Sequence, residues 1–335
     1  MKFFDLFAGI GGFRVGLEAW DHECVGSCEI DKYARQIYAK NFGHEPEYKD
    51  ARDIDTKTLP SFDILCAGFP CQSFSIVGNR LGFEDKRGNL FFVISRIARE
   101  KQPSYLLLEN VKGLLSHEQG NTFKIMLQTL DELGYDCEWQ LLNSQYFVPQ
   151  SRERLYIIGH LRGSGRREVL PIGSCSPRND KSRKELYAKD ECSSTLTATY
   201  WKGYGGGRPM IKESKPVQMI YRSHPNSNMQ ERIQNRDESW TLTTNSNEFA
   251  IVDGDRVRKL TPKECERLQG FADDWTKGVS DTQRWKMLGN AVTTKVVEYL
   301  AGHITWMETD DFTEFVEVAR DKFMTGVSEN ESKEK

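Results

Sequence analysis

No stretch of this 335-residue sequence approaches the roughly 20 consecutive apolar residues of a membrane-spanning helix, so no membrane anchor of that kind is expected. There is no Cys-x-x-Cys pair. Cys24/Cys28 and Cys66/Cys71 are separated by three and four residues, and several of the eight cysteines sit in apolar runs. That pattern fits no zinc spacing and argues against a disulfide framework, leaving reduced thiols and no metal site. Positive charge is not in excess either. At a net charge of −3, any nucleic-acid surface must come from local clustering. The sequence opens on a strand pattern, Lys2-Phe3-Phe4-Asp5-Leu6-Phe7, which leaves no room for a signal peptide. A soluble cytoplasmic protein is the expectation.

What is present is a regular alternation. Strands are expected at 2–7, 23–28, 62–66, 105–108, 135–142 and 154–160, with a weaker one at 47–50. Helices are expected from the glycine turn to Trp20, from Lys32 to Phe42 behind Asp31 as cap, over 89–101, and from Thr122 to Leu133. Such alternation predicts an α/β fold, a doubly wound and mostly parallel sheet with helices on both faces. Between 161 and 255 the periodicity fades and Gly, Ser, Arg, Thr and Asn dominate, which reads as a smaller, irregular, β-rich domain inserted into the first. Thr261-Pro262-Lys263-Glu264 restarts helical order with a capping box and proline at the first helical position. A further helix is expected after Gly289-Asn290 to about Met307, and 308–335 reads as an acidic helix or tail. The first domain is therefore 1–160 plus 256–307.

Several residues stand where a sheet of this kind places chemistry, just beyond strand ends. Cys71 follows the strand 62–66 through Gly68-Phe69-Pro70. It is either a nucleophile or a buried, inert thiol. Glu109 ends another strand, where a desolvated carboxylic acid can donate a proton. Gly9-Ile10-Gly11-Gly12, between a strand and a helix, lets backbone approach a ligand, although the full Gly-x-Gly-x-x-Gly of dinucleotide sites is missing. Glu29 stands where an acid accepts from ribose hydroxyls. Together these read as a nucleoside-containing ligand or as a tight structural turn. Asp50 reads as an adenine contact or a loop carboxylate. In Gln150-Ser151-Arg152-Glu153-Arg154, strand alternation puts Gln150, Arg152 and Arg154 on one face, bearing on a common site or on a surface salt bridge.

The ordered set of segments resembles the DNA (cytosine-5) methyltransferases of the small bacterial and phage type. It comprises Asp5 to Phe13, Glu29, Gly68 to Ser75, Gly88-Asn89-Leu90-Phe91, Glu109-Asn110-Val111 and Gln150-x-Arg152-x-Arg154, then Arg258 to Phe271 and Gly289-Asn290-Ala291-Val292. The resemblance covers roughly 2–160 and 256–300. It implies S-adenosylmethionine as cofactor and a cytosine swung out of duplex DNA as substrate. Cys71 would attack C6, Glu109 would protonate N3, and Arg152 and Arg154 would hold the base and the cysteine loop. The cofactor site would comprise Phe7, Ala8, Gly9, Ile10, Gly11, Gly12, Glu29, Ile30, Asp50, Ala51, Pro70, Leu90, Asn290 and Ala291. Gln72, Ser73 and Ser75 would touch DNA from a loop, 72–88, that closes over it.

The resemblance makes the inserted region the target-recognition domain. Two Thr-Leu doublets stand there, Thr195-Leu196 and Thr241-Leu242, and the second is favoured because it follows Met229-Gln230-Glu231-Arg232-Ile233. Gln230, Arg232 and Thr241 are the resulting candidates for contacts with DNA. A monomer acting on double-stranded DNA is implied, with any cognate restriction endonuclease acting separately. The competing readings are a tRNA cytosine-5 methyltransferase of the same family, a catalytically silent DNA-binding relative and a nicotinamide-dependent oxidoreductase.

Overall fold

The first strand shows how the main sheet is built, because its alternate side chains enter two different cores. In the computed structural model β1 (Lys2–Leu6) buries Phe4 and Leu6 in one apolar cluster and Phe3 in another. β3 (Ile64–Gly68), β4 (Tyr105–Val111) and β7 (Glu153–Leu161) divide in the same way: Leu65, Leu106 and Ile157 face one side, Ile64, Leu107 and Ile158 the other. A strand buried on both faces reads as a continuous apolar run, which is why these segments stood out. The structure describes residues 1–69, 90–164, 169–170 and 260–308, and by their backbone the strand residues 218–221, 232–235, 239–240, 249–253 and 256–258.

Six strands form the main sheet in the order β2-β1-β3-β4-β7-β5, with β2 at Glu23–Cys28 and β5 at Tyr135–Asn143. The neighbours from β2 to β4 are parallel, whereas β7 runs antiparallel to both β4 and β5. The connection from Asn143 to Glu153 is too short for the crossover a parallel pair needs, so the chain turns back instead. Helices α3 (Leu90–Lys101) and α4 (Asn121–Glu132) cover one face, through Phe91, Ile94, Ile97, Met126 and Leu130. Helix α1 (Gly12–Glu18) and the C-terminal α7 (Thr294–Glu308) cover the other, through Phe13, Leu17, Val297, Leu300 and Ile304. A Cβ at Gly16 would stand 2.6 Å from Val297, so α1 and α7 pack with almost no space between them.

A third cluster joins α2 (Lys32–Phe42) to α5 (Pro262–Leu268) and α6 (Asp281–Asn290) through Ile37, Cys265, Phe271 and Leu288. Asp31 caps α2 by accepting from the N–H groups of Tyr33 and Ala34, and the Thr261–Glu264 capping box opens α5. Helix α6 carried no clear apolar period and was not expected. The strand expected at 47–50 does not form. Tyr48 makes a single bridge to Cys28, and Asp50 accepts from the N–H of Arg52 to cap a short turn, Ala51–Asp53, as aspartates at turn starts do.

Of the inserted region, β8 (Gln218–Tyr221), β9 (Arg232–Asn235), β11 (Phe249–Asp253) and β12 (Arg256–Arg258) form an antiparallel sheet ordered β12-β11-β8-β9. β10 (Ser239–Trp240) pairs instead with β6 (Gln150–Ser151) of the first domain. Val169 and Leu170, expected in the insertion, are buried in the main core, and 256–258, expected in the returning segment, belong to the second sheet.

Candidate active site

The sheet reverses direction of growth between β1 and β3, and a cavity of about 610 Å³ opens there, beyond the carboxyl ends of the strands. Its first wall is the turn after β1. Phe7 has φ 64°, a left-handed conformation that is uncommon for an aromatic residue, and Gly11, at φ 88°, caps α1. A Cβ at Gly11 would stand 2.3 Å from the ring of Phe42, so glycine is required there on space as well as on dihedral angle. At the end of β2, Glu29 accepts from the N–H of Gly9 at 2.8 Å with one carboxylate oxygen and from the N–H of Asp31 at 2.7 Å with the other. Burial pushes its pKa up, and these two N–H groups work against that.

The opposite wall comes from the far end of the chain. Gly289 and Asn290 end α6, Ala291 and Val292 follow it, and Lys286 on that helix pairs with Asp31 at 2.9 Å beside the cavity. A Cβ at Gly12 would reach within 2.7 Å of Val292, so the two walls touch through a missing side chain.

The floor near β3 and β4 holds the other ionisable groups. Glu109 lies opposite Gly68 in the parallel pair, and the next residue, Asn110, donates from Nδ2 to the carbonyl of Phe69 at 2.9 Å. Glu109 is 8% exposed and pairs through Oε1 with Nε of Arg154 at 3.1 Å. Alternation explains that contact, since Glu109 shares its face with Leu107, and Arg154 shares its own with Tyr156. Burial raises the pKa of Glu109, while Arg154 and then Arg152 pull it down. Arg152 is buried and donates from Nη2 to the carbonyls of Gly289, at 3.1 Å, and Ala291, at 2.9 Å. Its guanidinium therefore fixes the end of α6, which carries Asn290.

Of the residues singled out from the sequence, Phe7, Ala8, Gly9, Ile10, Gly12, Glu29, Glu109, Arg152, Arg154, Asn290 and Ala291 line this one cavity. Gly11, Ile30, Asp50, Ala51 and Leu90 are not among its lining residues. Asp50 is engaged by the guanidinium of Arg52, Ala51 is buried in the core, Ile30 is exposed, and Leu90 begins α3. Pro70, Cys71, Gln72, Ser73, Ser75, Gln230 and Thr241 lie outside the described residues, and Arg232 begins β9. Lining residues that the sequence did not single out for the site include Asp31, read only as a helix cap, and Lys286, which stands in the unexpected helix α6.

Over residues 1–306 the chain matches the C-5 cytosine-specific DNA methylase family. It belongs to that family. This C-5 cytosine-specific DNA methylase is 38% identical over 324 residues to the Type II methyltransferase M.HhaI of Haemophilus parahaemolyticus, covering 91% of this chain and 94% of the relative. It is 40% identical over 304 residues to the Type II methyltransferase M.NgoBI of Neisseria gonorrhoeae, covering 89% and 90%. Among solved structures, the S. pombe Dnmt2 methyltransferase superposes with a TM-score of 0.63 at 20% identity, covering 92% of this chain and 100% of that one, a likeness of fold alone. The methylase is thus a DNA (cytosine-5)-methyltransferase on a mixed α/β fold. Among its described residues no helix is long and apolar enough to cross a membrane, and no cluster of His, Cys, Asp and Glu could hold a metal ion.

Proposed function

We propose that this methylase modifies C5 of a cytosine flipped out of a specific duplex sequence, with Cys71 as nucleophile and Glu109 as acid. The observation that supports it is one cavity holding a glycine turn with Glu29 at one end and a buried, arginine-paired Glu109 at the other. S-adenosylmethionine fits the first end. Each oxygen of Glu29 accepts one N–H and keeps acceptor capacity for ribose hydroxyls. Phe7 would stack on the adenine, and Asn290 would close the pocket. When bound, the cofactor supplies an electrophilic methyl group.

At the other end, the chain leaves the cavity wall at Phe69, two residues before Cys71. The Cys71 thiolate adds to C6 while Glu109 gives its proton to N3, which makes C5 nucleophilic. Arg154 holds Glu109 in place. Once C5 carries the methyl group, with S-adenosylhomocysteine as the co-product, C5 loses its proton to water, the C6–S bond breaks to return the thiolate, and N3 gives its proton back to Glu109. Target choice resides in residues 161–255, where Gln230, Arg232 and Thr241 read or position the duplex. The enzyme acts as a monomer in the cytoplasm, apart from any restriction endonuclease of a Type II system.

Incubation with cofactor and duplex DNA carrying 5-fluorocytosine at the target tests the chemistry. The blocked C5 cannot lose a proton, so a covalent adduct through Cys71 is expected, and Cys71→Ser should form none. An adduct through another cysteine, substantial turnover by the serine variant, or preference for tRNA over duplex DNA would overturn the proposal.

A further inference from the structure

Where the chain leaves the first domain, Arg162 pairs with Asp131 and Asp136, and a further carboxylate takes the backbone a few residues on. Glu138 of β5 accepts from the backbone N–H of Val169 at 2.6 Å through Oε1 and from that of Leu170 at 2.7 Å through Oε2. Nε2 of His160, on the neighbouring β7, lies 2.5 Å from Oε1. Alternation brings the pair together, because Glu138 shares the face of Leu142, and His160 that of Tyr156 and Ile158. Val169 and Leu170 are 4% and 6% exposed and complete this same core. A carboxylate that captures two consecutive N–H groups fixes the position and direction of that backbone.

We propose that Glu138 is a positioning residue that mounts the target-recognition region on the catalytic domain and presets it for DNA. The inference rests on the assignment of recognition to that region. A region mounted rigidly loses less freedom when it engages the duplex, and a loosened one must be ordered by the DNA itself. The defect therefore falls on binding and disappears once DNA saturates the enzyme.

The test is Glu138→Gln in the full-length enzyme, whose amide nitrogen cannot accept from a backbone N–H. KM for cognate duplex DNA is expected to rise about tenfold, the order for one hydrogen bond to a charged group. The kcat at saturating DNA and the affinity for S-adenosylmethionine should stay unchanged, and limited proteolysis between 162 and 171 should quicken. Val169→Pro removes one of the two donors while leaving Glu138 and the strand ladders in place, and should give the same split if Glu138→Gln fails to fold. An unchanged KM in either folded variant overturns the inference, even if proteolysis quickens or the melting temperature falls. So does a loss confined to kcat. If wild-type enzyme methylates no duplex at all, it is the proposed function that fails.

Discussion

Glu29 and Glu109 stand at the two ends of the cavity, and they are held by opposite means. Glu29 is fixed by two backbone N–H groups, that of Gly9 in the glycine turn at 2.8 Å and that of Asp31 at 2.7 Å. Glu109 is fixed by a guanidinium at 3.1 Å and is buried at the cavity wall. Backbone donors cannot be titrated or moved by a rotamer change, so the Glu29 end is a rigid receptacle. A carboxyl raised by burial and restrained by a movable cation is one whose proton can be given and recovered. The first arrangement suits binding and the second suits proton transfer.

Replacing Glu109 with Gln should break the catalytic end alone. The kcat is expected to fall by about 10²–10⁴, the usual range for a positioned acid. Calorimetry should find S-adenosylmethionine bound as tightly as before, and a parallel loss of affinity would show that the two ends are not separate. Glu29→Ala should break the binding end. Cofactor affinity should drop by about 1–3 kcal/mol, with kcat at saturating cofactor within a few-fold of wild type and a smaller thermal shift on cofactor addition.

Arg154→Ala sharpens the comparison through pH. The cation lowers the pKa of Glu109, so its removal lets burial raise that pKa further. The protonated form then persists to higher pH, and the alkaline limb of the pH–rate profile should move up. No movement of that limb, or movement downward, would separate Glu109 from the titration.

The last effect falls on stability and not on activity, behind the turn at Asp5. Its carboxylate is fully buried, neither oxygen has a hydrogen-bond partner, and burial pushes its pKa up from 3.8 to about 8, with Arg14 opposing. The folded state thus keeps a proton that the unfolded chain releases, and stability falls as pH rises from about 4 to about 8. Asp5→Asn removes that dependence. Denaturant titrations should find the variant more stable than wild type by about 1–3 kcal/mol at pH 8, and by less at pH 5.

Much of this was legible in the residues themselves. Apolar runs buried on both faces gave up the strands, and Asp31, Thr261 and Pro262 marked helix starts through capping chemistry that is local by nature. What escaped depended on which side chain a group would meet, near or far. Asp50 was expected at a strand end facing a ligand, but Arg52, two residues away, offered a nearer donor. The Lys286–Asp31 pair joins residues 255 positions apart on a helix with no apolar stripe. Arg152, which the resemblance assigns with Arg154 to the base and the cysteine loop, lines the cavity and also donates to the carbonyls of Gly289 and Ala291, contacts that nothing local announced. Only the return of the chain's far end makes those carbonyls available.

That return also sets a timetable for synthesis. A ribosome that has made β1 through β7 has produced the glycine turn, Glu29 and Glu109, but not the wall at Asn290 or the helix that seals Gly16. The nascent protein therefore holds no finished receptacle until α7 has emerged, and stalled chains ending before 286 should not retain labelled cofactor. The same arrangement makes the molecule divisible. A cut within 171–217 leaves each fragment with one wall of the cavity, so co-expressed halves would report their own reunion by restoring methylation of DNA.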